Sequence, residues 1–417
     1  MSEYITYIWG SDASGKGGDG MCSTELTLIP CGEETAPYFQ PILSLQTQQI
    51  IAYEALGRRV SGGKAYSLGP FFQDTSIGDE HHLIIDRALR SKALAKLAAD
   101  DGQAKLFLNL KPSWIYHNYR ETGELRTLQL IEHYGIDPSR IVIEVTEEAF
   151  AGRLDELSGI LDVYRREGCM IAIDDIGSGY SNFDRVASIQ PHILKVDLKL
   201  LKRSATHDGY NAVLNSFSIL ASQMGASLLV EGVETKAELY QALKVGARYV
   251  QGFLFSEARA EFQSSHAFER LLQEVIADYT EQELARHRSL FAVKGHLSEL
   301  VSGTADIRSA ADADALLEGL RLGVTDNVVR MYICREDGCQ VSSNFLRAET
   351  GEWRKDDQFQ GANWIWRPYF IPNMLQMKSH GQGILSRVYT DLDSSRPMQT
   401  YSCPVGELHY LFLDLMI

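Results

Sequence analysis

Residues 141–176 read IVIEVTEEAFAGRLDELSGILDVYRREGCMIAIDDI. IVIEVT (141–146) and MIAIDDI (170–176) are short, apolar and rich in β-branched residues, as strands buried on both faces are. Between them LDELSGILDVYRREG (154–168) carries helical periodicity. A strand, a helix and a second strand in this span form a βαβ unit, whose strands run parallel. Both strands end in carboxylates: Glu144 and Glu147 close the first, Asp174 and Asp175 the second.

The same grammar extends outward from about residue 36 to 258. YFQPILS (38–44), IIAYEAL (50–56), KLFLNL (105–110), ILKVD (193–197), SLLVEGV (227–233) and YVQGFLF (249–255) read as strands, with helical stretches such as HHLIIDRALRSKALAKLAA (81–99) between them. About eight strands in this length suit a closed (β/α)8-type, TIM-like barrel, an α/β fold. An open doubly wound sheet fits the same periodicity.

Before the barrel, residues 1–35 include SDASGKGGDG (11–20), a flexible tail with nothing to bury. Its Gly10 and Gly15-Lys16 approach a phosphate loop, but Gly17 stands where that motif needs Ser or Thr. After the barrel, residues 261–302 read as a connecting helix. Phe268, Leu271, Leu272, Val275, Ile276 and Tyr279 recur at helical spacing, and the pattern resumes at Leu290, Phe291, Leu297 and Leu300. From 303 to 417 the pattern is antiparallel: VVRMYIC and VSSNFLR flank a turn at Asp337-Gly338, a helix follows in PYFIPNMLQMKS, and GILSRVYTDLD, MQTYSCPV and LHYLFLDL add strands. A small α+β domain with about five antiparallel strands is expected there.

The net charge of −15 disfavours non-specific DNA, RNA or anionic-membrane binding. No apolar run reaches the ~18 residues that span a bilayer, and no export leader opens the chain, so a cytoplasmic protein is expected. The six cysteines, Cys22, Cys31, Cys169, Cys334, Cys339 and Cys403, form no paired CxxC pattern. They read as reduced and mostly buried rather than zinc-binding.

The chemistry lies at the strand ends. Glu54 ends IIAYE, Asn109 ends KLFLN, Lys195 and Asp197 close ILKVD, Glu231 and Glu234 close SLLVEGVE, and Gln251 sits in the last strand. The C-terminal face is where barrel enzymes place their sites. One such carboxylate alone could cap a helix or pair with a surface cation. So many at one end repel each other unless cations compensate them. Oxygen-rich ligands with few His or Cys point to Mg²⁺ or Mn²⁺. Adjacent aspartates such as Asp174-Asp175 suit two neighbouring ions and metal-assisted hydrolysis of a phosphate ester.

YEALGR (53–58), FLNL (107–110), IEVTE (143–147), IDDIGSGYSN (173–182), LKVD (194–197), VEGVET (230–235) and QGFLF (251–255) stand in the order and spacing of the EAL family. Over about residues 36–258 the chain resembles these cyclic di-GMP phosphodiesterases, whose fold is a (β/α) barrel and whose product is 5′-pGpG. The resemblance implies a metal set of Glu54, Asn109, Glu144, Asp174, Asp175 and Glu231, holding two Mg²⁺ or Mn²⁺ ions. It implies catalytic roles for Glu54, Lys195 and Glu231, with Lys195 acting at the attacked phosphate. Arg58 looks like a phosphate contact, and Gln40, Leu56, Asp197, Glu234 and Gln251 look like substrate or site-shaping residues. Glu147 looks like a supporting group for the loop after the paired aspartates. Departures are few: Ile176 for Phe, Ser178 for Thr, Lys111 for Ser and Glu148 for Ser. The arrangement also resembles a YkuI-like subgroup with a C-terminal PAS- or Cache-like domain, reaching residues 352–372, where WRKDDQFQGANWIWRPYFIP stands. A homodimer and a small-molecule ligand of the C-terminal domain are expected with it.

Three functional readings follow: an active phosphodiesterase, a receptor that holds cyclic di-GMP and signals through its C-terminal domain, and an unrelated barrel phosphohydrolase. The intact tripeptide Glu54-Ala55-Leu56, aspartate pair and Lys195 favour the first. His81-His82 lacks a third metal ligand at helical spacing and reads as solvent-facing. Trp364, Trp366, Arg367, Tyr369 and Asp414 are candidates for a pocket taking a small organic acid, with ordinary aromatic packing as the competing account.

Overall fold

A computed structural model describes residues 34–146, 153–176, 183–204, 207–301, 306–367, 370–392 and 394–416. The chain divides into two compact units, Met1–Tyr279 and Thr280–Ile417.

The first unit is built on strands β1 (Thr35–Ser44), β2 (Gln49–Ser61), β3 (Lys64–Ser67), β4 (Lys105–Asn109), β5 (Ile141–Thr146), β6 (Met170–Ile176), β7 (Ile193–Val196), β8 (Ser227–Val230) and β9 (Tyr249–Gln251). Their order is β1-β9-β8-β7-β6-β5-β4-β2, and β2 returns to pair with β1, so the sheet closes; β3 hangs outside on β2. The strands from β4 onward are parallel to β2. β1 is antiparallel to both neighbours. An all-parallel barrel is therefore corrected at its first strand. Only Leu45–Gln48 separates β1 from β2, with Gln48 at φ 59°, and so short a link makes a hairpin rather than a crossover.

Ile42, Ala52, Phe107, Val142, Ala172, Ile193 and Leu229 fill the barrel interior, each at most 2% exposed. Side chains two residues apart on a strand share a face. Stepping two residues toward the C-terminal rim gives Glu54, Asn109, Glu144, Asp174, Lys195 and Glu231, and stepping back two on the reversed β1 gives Gln40. This ring climbs as it goes round. Glu54 pairs with Phe107, Glu144 with Ala172, Lys195 with Leu229, and Gln251 with Ile42. The other four junctions run level at the interior layer, β6–β7 shifting register by one residue between Ile173 and Ile176. Four offsets of two residues make a shear of eight, that of a (β/α)8 barrel.

Outside the barrel, helix Leu154–Arg166 buries Leu157, Leu161 and Tyr164 against Ile143, Ile171 and Ile173. Helix Asp79–Ala98 buries Leu94 and Leu97 in the same core. His82 corrects the solvent-facing expectation: it is 3% exposed, its Nε2 lies 2.8 Å from Phe71 O, and its ring packs on Phe71 and Phe72. It shares a helical stripe with Ile85 and Leu89, which explains its burial.

The connecting helix spans Glu269–Leu300. Leu272 and Val275 belong to the first unit's core, and Leu297 to the second's. Leu284 and Phe291 between them are exposed, so the stripe is two separate core contacts.

In the second unit β10 (Val328–Arg335), β11 (Asn344–Arg347), β12 (Trp353–Asp356), β13 (Ile384–Leu385), β14 (Tyr389–Thr390), β15 (Pro397–Pro404) and β16 (His409–Met416) form one antiparallel sheet, ordered β12-β11-β10-β16-β15-β13 with β14 also on β15. That is seven strands among the described residues rather than about five. WRKD adds a short edge strand, and GILSRVYT divides into β13 and β14. One sheet face carries Met331, Phe345, Tyr401 and Leu413 into a core with Leu317 of helix Ala310–Leu320. Gly338, at φ 84°, ends the expected turn; a Cβ there would lie 2.7 Å from Ile365 N, so no other residue fits.

Candidate metal and phosphodiester site

Lys195 stands at the centre of the ring, fully buried. Its Nζ lies 3.1 Å from Glu231 Oε2, 3.2 Å from Asp174 Oδ1 and 3.6 Å from Glu54 Oε2, and it donates to Glu144 Oε1. One ammonium thus faces four carboxylates. Burial pushes Glu144 and Glu231 well above the carboxylate range; Lys195 opposes this, while Asp174 and Glu54 reinforce it. Burial would also raise Asp174, but Lys195 and hydrogen bonds from Glu144 and Glu231 bring it down to about 2. Burial works against the Lys195 charge, yet the surrounding carboxylates outweigh it and raise its pKa. The geometry is that of a site short of positive charge.

Glu54, 6% exposed, is held from both sides. Asn109 Nδ2 donates to its Oε1 at 2.8 Å and Gln251 Nε2 to its Oε2 at 2.7 Å. Gln251 also reaches Gln40 Oε1 at 3.1 Å, and Gln40 donates to Ser256 O. Asn109 spends its amide nitrogen on Glu54, which leaves its Oδ1 as an acceptor. The close approach of β9 to the turn after β8 requires Gly252, where a Cβ would lie 2.1 Å from Val233 O.

The donor chemistry of the ring suits an oxygen-coordinated divalent cation. Its donors are carboxylates and one amide oxygen, and the fully buried Glu144 Oε2 has no hydrogen-bond partner. With the Lys195 ammonium at their centre, the carboxylates converge on that nitrogen, and among the described residues no group of three His, Cys, Asp or Glu closes on a common point as metal ligands. The Asp175 side chain and Glu147 lie outside the described residues, as do Gly177, Ser178, Gly179 and Glu148.

Leu56 and Arg58 do not join the carboxylates. They line an adjoining cavity of about 330 Å³ with Asn109, Lys111 and Trp114. Burial lowers the Arg58 pKa and Glu54 opposes that effect. Lys111 lies 5.0 Å over the Trp114 ring. Two expected residues stand elsewhere. Asp197 caps the helix Leu198–Ser204, accepting from Lys199 N at 2.8 Å. Glu234 is exposed and paired with Lys202 at 3.4 Å. The sequence reading missed Asp86 and Arg90, an ion pair lining the same cavity. Their i, i+4 spacing on a helix was the available signal. Arg185, 5% exposed, donates to Thr146 O at 2.8 Å and ties helix Phe183–Ile189 to the end of β5.

In the second unit the expected aromatic pocket does not assemble. Trp364 Nε1 donates to Gln340 Oε1 at 2.9 Å, Arg367 stacks on Trp364 and Trp366, and Asp414 is buried against Arg330. These side chains are spent on packing and on each other; Tyr369 lies outside the described residues.

Among the described residues no helix is long and apolar enough to cross a membrane. Residues 31–258 match the EAL domain, and residues 262–417 match the EAL-domain associated signalling protein domain. The chain is 32% identical over 398 residues to the uncharacterized EAL-domain containing protein YkuI of Bacillus subtilis, covering 92% of this chain and 94% of that one. A crystal structure of YkuI in complex with substrate c-di-GMP and calcium superposes with a TM-score of 0.84 at 31% identity, over 94% of this chain and 98% of that one. The cyclic di-GMP phosphodiesterase RocR of Pseudomonas aeruginosa is 32% identical over 238 residues, 55% of this chain and 58% of its own. With its carboxylate ring at the rim of a (β/α)8 barrel, the chain belongs to the EAL-domain family, in the branch that carries the YkuI-type C-terminal domain.

Proposed function

We propose that the barrel hydrolyses cyclic di-GMP to linear 5′-pGpG. The observation that carries this reading is the ring itself: Glu54, Asn109, Glu144, Asp174 and Glu231 offer oxygens around one buried ammonium. Those residues, with Asp175, would hold two Mg²⁺ or Mn²⁺ ions. Bound there, the ions supply an acidified water and neutralise phosphoryl charge. The kinship with RocR and with a c-di-GMP-bound YkuI supports the choice of substrate.

The chain's own residues do the positioning. Lys195 keeps its proton at Nζ, held among Glu54, Glu144, Asp174 and Glu231, and would act at the attacked phosphate. Gln251 and Asn109 fix both oxygens of Glu54. Arg58 faces the adjoining cavity, where it can hold a phosphate oxygen, and that cavity has room for part of a dinucleotide.

Glu54→Gln and Asp174→Asn, each compared with the unaltered chain for binding and for product, test the reading. Loss of pGpG by a factor of at least about 10² in both variants supports it. Unchanged turnover in both overturns it. Tight binding with no product from the unaltered chain would make the protein a receptor that signals through its C-terminal domain.

A further inference from the structure

We propose that the second unit binds a small organic anion with an apolar body, in a cavity on the sheet face opposite Met331, Phe345, Tyr401 and Leu413. Leu346, Arg330, Asp414 and Thr400 lie side by side across β11, β10, β16 and β15 on that face. A cavity of about 810 Å³ opens over the Arg330 end of this row, within the size range of small-molecule sites.

Its polar groups fall into two kinds. Arg330 is committed: it donates to Asp414 Oδ2 at 2.6 Å and to Asp391 Oδ1 at 2.5 Å. The other Asp391 oxygen accepts from Ser394 N and Oγ. Arg347 and Arg396 are paired with carboxylates that are themselves exposed. Arg347 pairs with Asp326, whose side chain is 98% exposed, and Arg396 with Glu349, at 86%. Exposed pairs of this kind carry little weight, so an incoming carboxylate can replace either partner and gain a planar two-donor contact. Arg347 is also oriented by Thr325 O at 3.2 Å and by the Trp353 ring.

A second observation points into the same space. Asn344 lines the cavity and is 4% exposed; its Oδ1 accepts from Gln340, and its Nδ2 has no hydrogen-bond partner among the described residues. That amide is a ready donor for a ligand oxygen in the cavity. Leu346, Met398 and Met416 supply an apolar, adaptable wall for the ligand's body. A chain of net charge −15 repels anions at long range, so recognition rests on these short contacts.

The test is calorimetric titration of the full chain, in EDTA, with 3-phenylpropionate, its uncharged isostere 3-phenylpropan-1-ol, and inorganic phosphate. One equivalent of 3-phenylpropionate is expected to bind, with both other probes at least roughly tenfold weaker. Arg347→Gln combined with Arg396→Gln should weaken it by at least roughly tenfold. Asp326→Asn combined with Glu349→Gln should tighten it by roughly two- to fivefold, the weight of an exposed ion pair; misfolding cannot mimic that gain. No saturable heat from 3-phenylpropionate, equal affinity for the alcohol or for phosphate, or unchanged affinity in both double variants would overturn the proposal.

Discussion

Lys195 Nζ lies 3.1 Å from Glu231 Oε2, although Lys195 pairs in register with Leu229. The shear of the barrel brings them together by lifting Glu231 into the layer of Lys195. The same stagger sets Asn109 beside Glu54 and Asp174 beside Glu144. The site is thus a consequence of closure. Any change that flattened the shear would separate the ammonium from its carboxylates without altering a site residue.

Lys195→Met leaves four carboxylates around an apolar side chain. Breaking a buried ion cluster on one side costs about 3–5 kcal/mol. The metal-free variant should melt well below the parent, and added Mg²⁺ should raise its Tm by more than it raises the parent's. Scanning calorimetry in EDTA and in Mg²⁺ checks this. Equal Mg²⁺ shifts in the two proteins would contradict it.

Ca²⁺ takes more ligands at longer distances than Mg²⁺. It should support binding of cyclic di-GMP while blocking cleavage. Equal rates with the two ions would remove metal geometry from the account.

Acid should loosen the second unit through Asp391. Burial raises this carboxyl, but Arg330 and the two Ser394 hydrogen bonds outweigh it and hold its pKa below the ordinary value. A depressed folded-state pKa contributes stability above the unfolded value of ~3.9, and that contribution is lost as pH falls through the folded value. The loss therefore belongs below about pH 4. Near-UV circular dichroism between pH 2 and 5 should show a transition that is weakened in Asp391→Asn. An identical acid profile in the variant would contradict the assignment.

A homodimer is expected in solution. Phe183, 54% exposed, and Ile219, 59% exposed, leave apolar surface on the barrel helices. Sedimentation equilibrium should give about twice the 46.7 kDa chain mass. A single-chain mass across the micromolar range would exclude self-association.

The barrel was legible because its strands are uniformly apolar until the residue that turns inward at the rim. Glu54, Asn109, Glu144, Asp174, Lys195 and Glu231 each break such a run, and the ring contains all six. The reversal of β1 was not legible, because YFQPILS has the same composition whichever way it points; the short turn alone decides it. Asp197 and Glu234 follow the same sequence rule as the ring residues but fall past the strand ends, where a carboxylate caps a helix or meets a surface lysine. The second unit was less legible. Its polar row, Arg330, Asp414 and Thr400, comes from three strands whose neighbours are set by long-range pairing.

The most direct test of the central claim is a single-turnover reaction: full-length protein in excess over cyclic di-GMP, with saturating Mg²⁺ or Mn²⁺, resolved by chromatography. The expected result is complete conversion to 5′-pGpG, abolished by EDTA and restored by Mg²⁺. Recovery of intact cyclic di-GMP under both metals, with the nucleotide bound, would contradict the phosphodiesterase assignment.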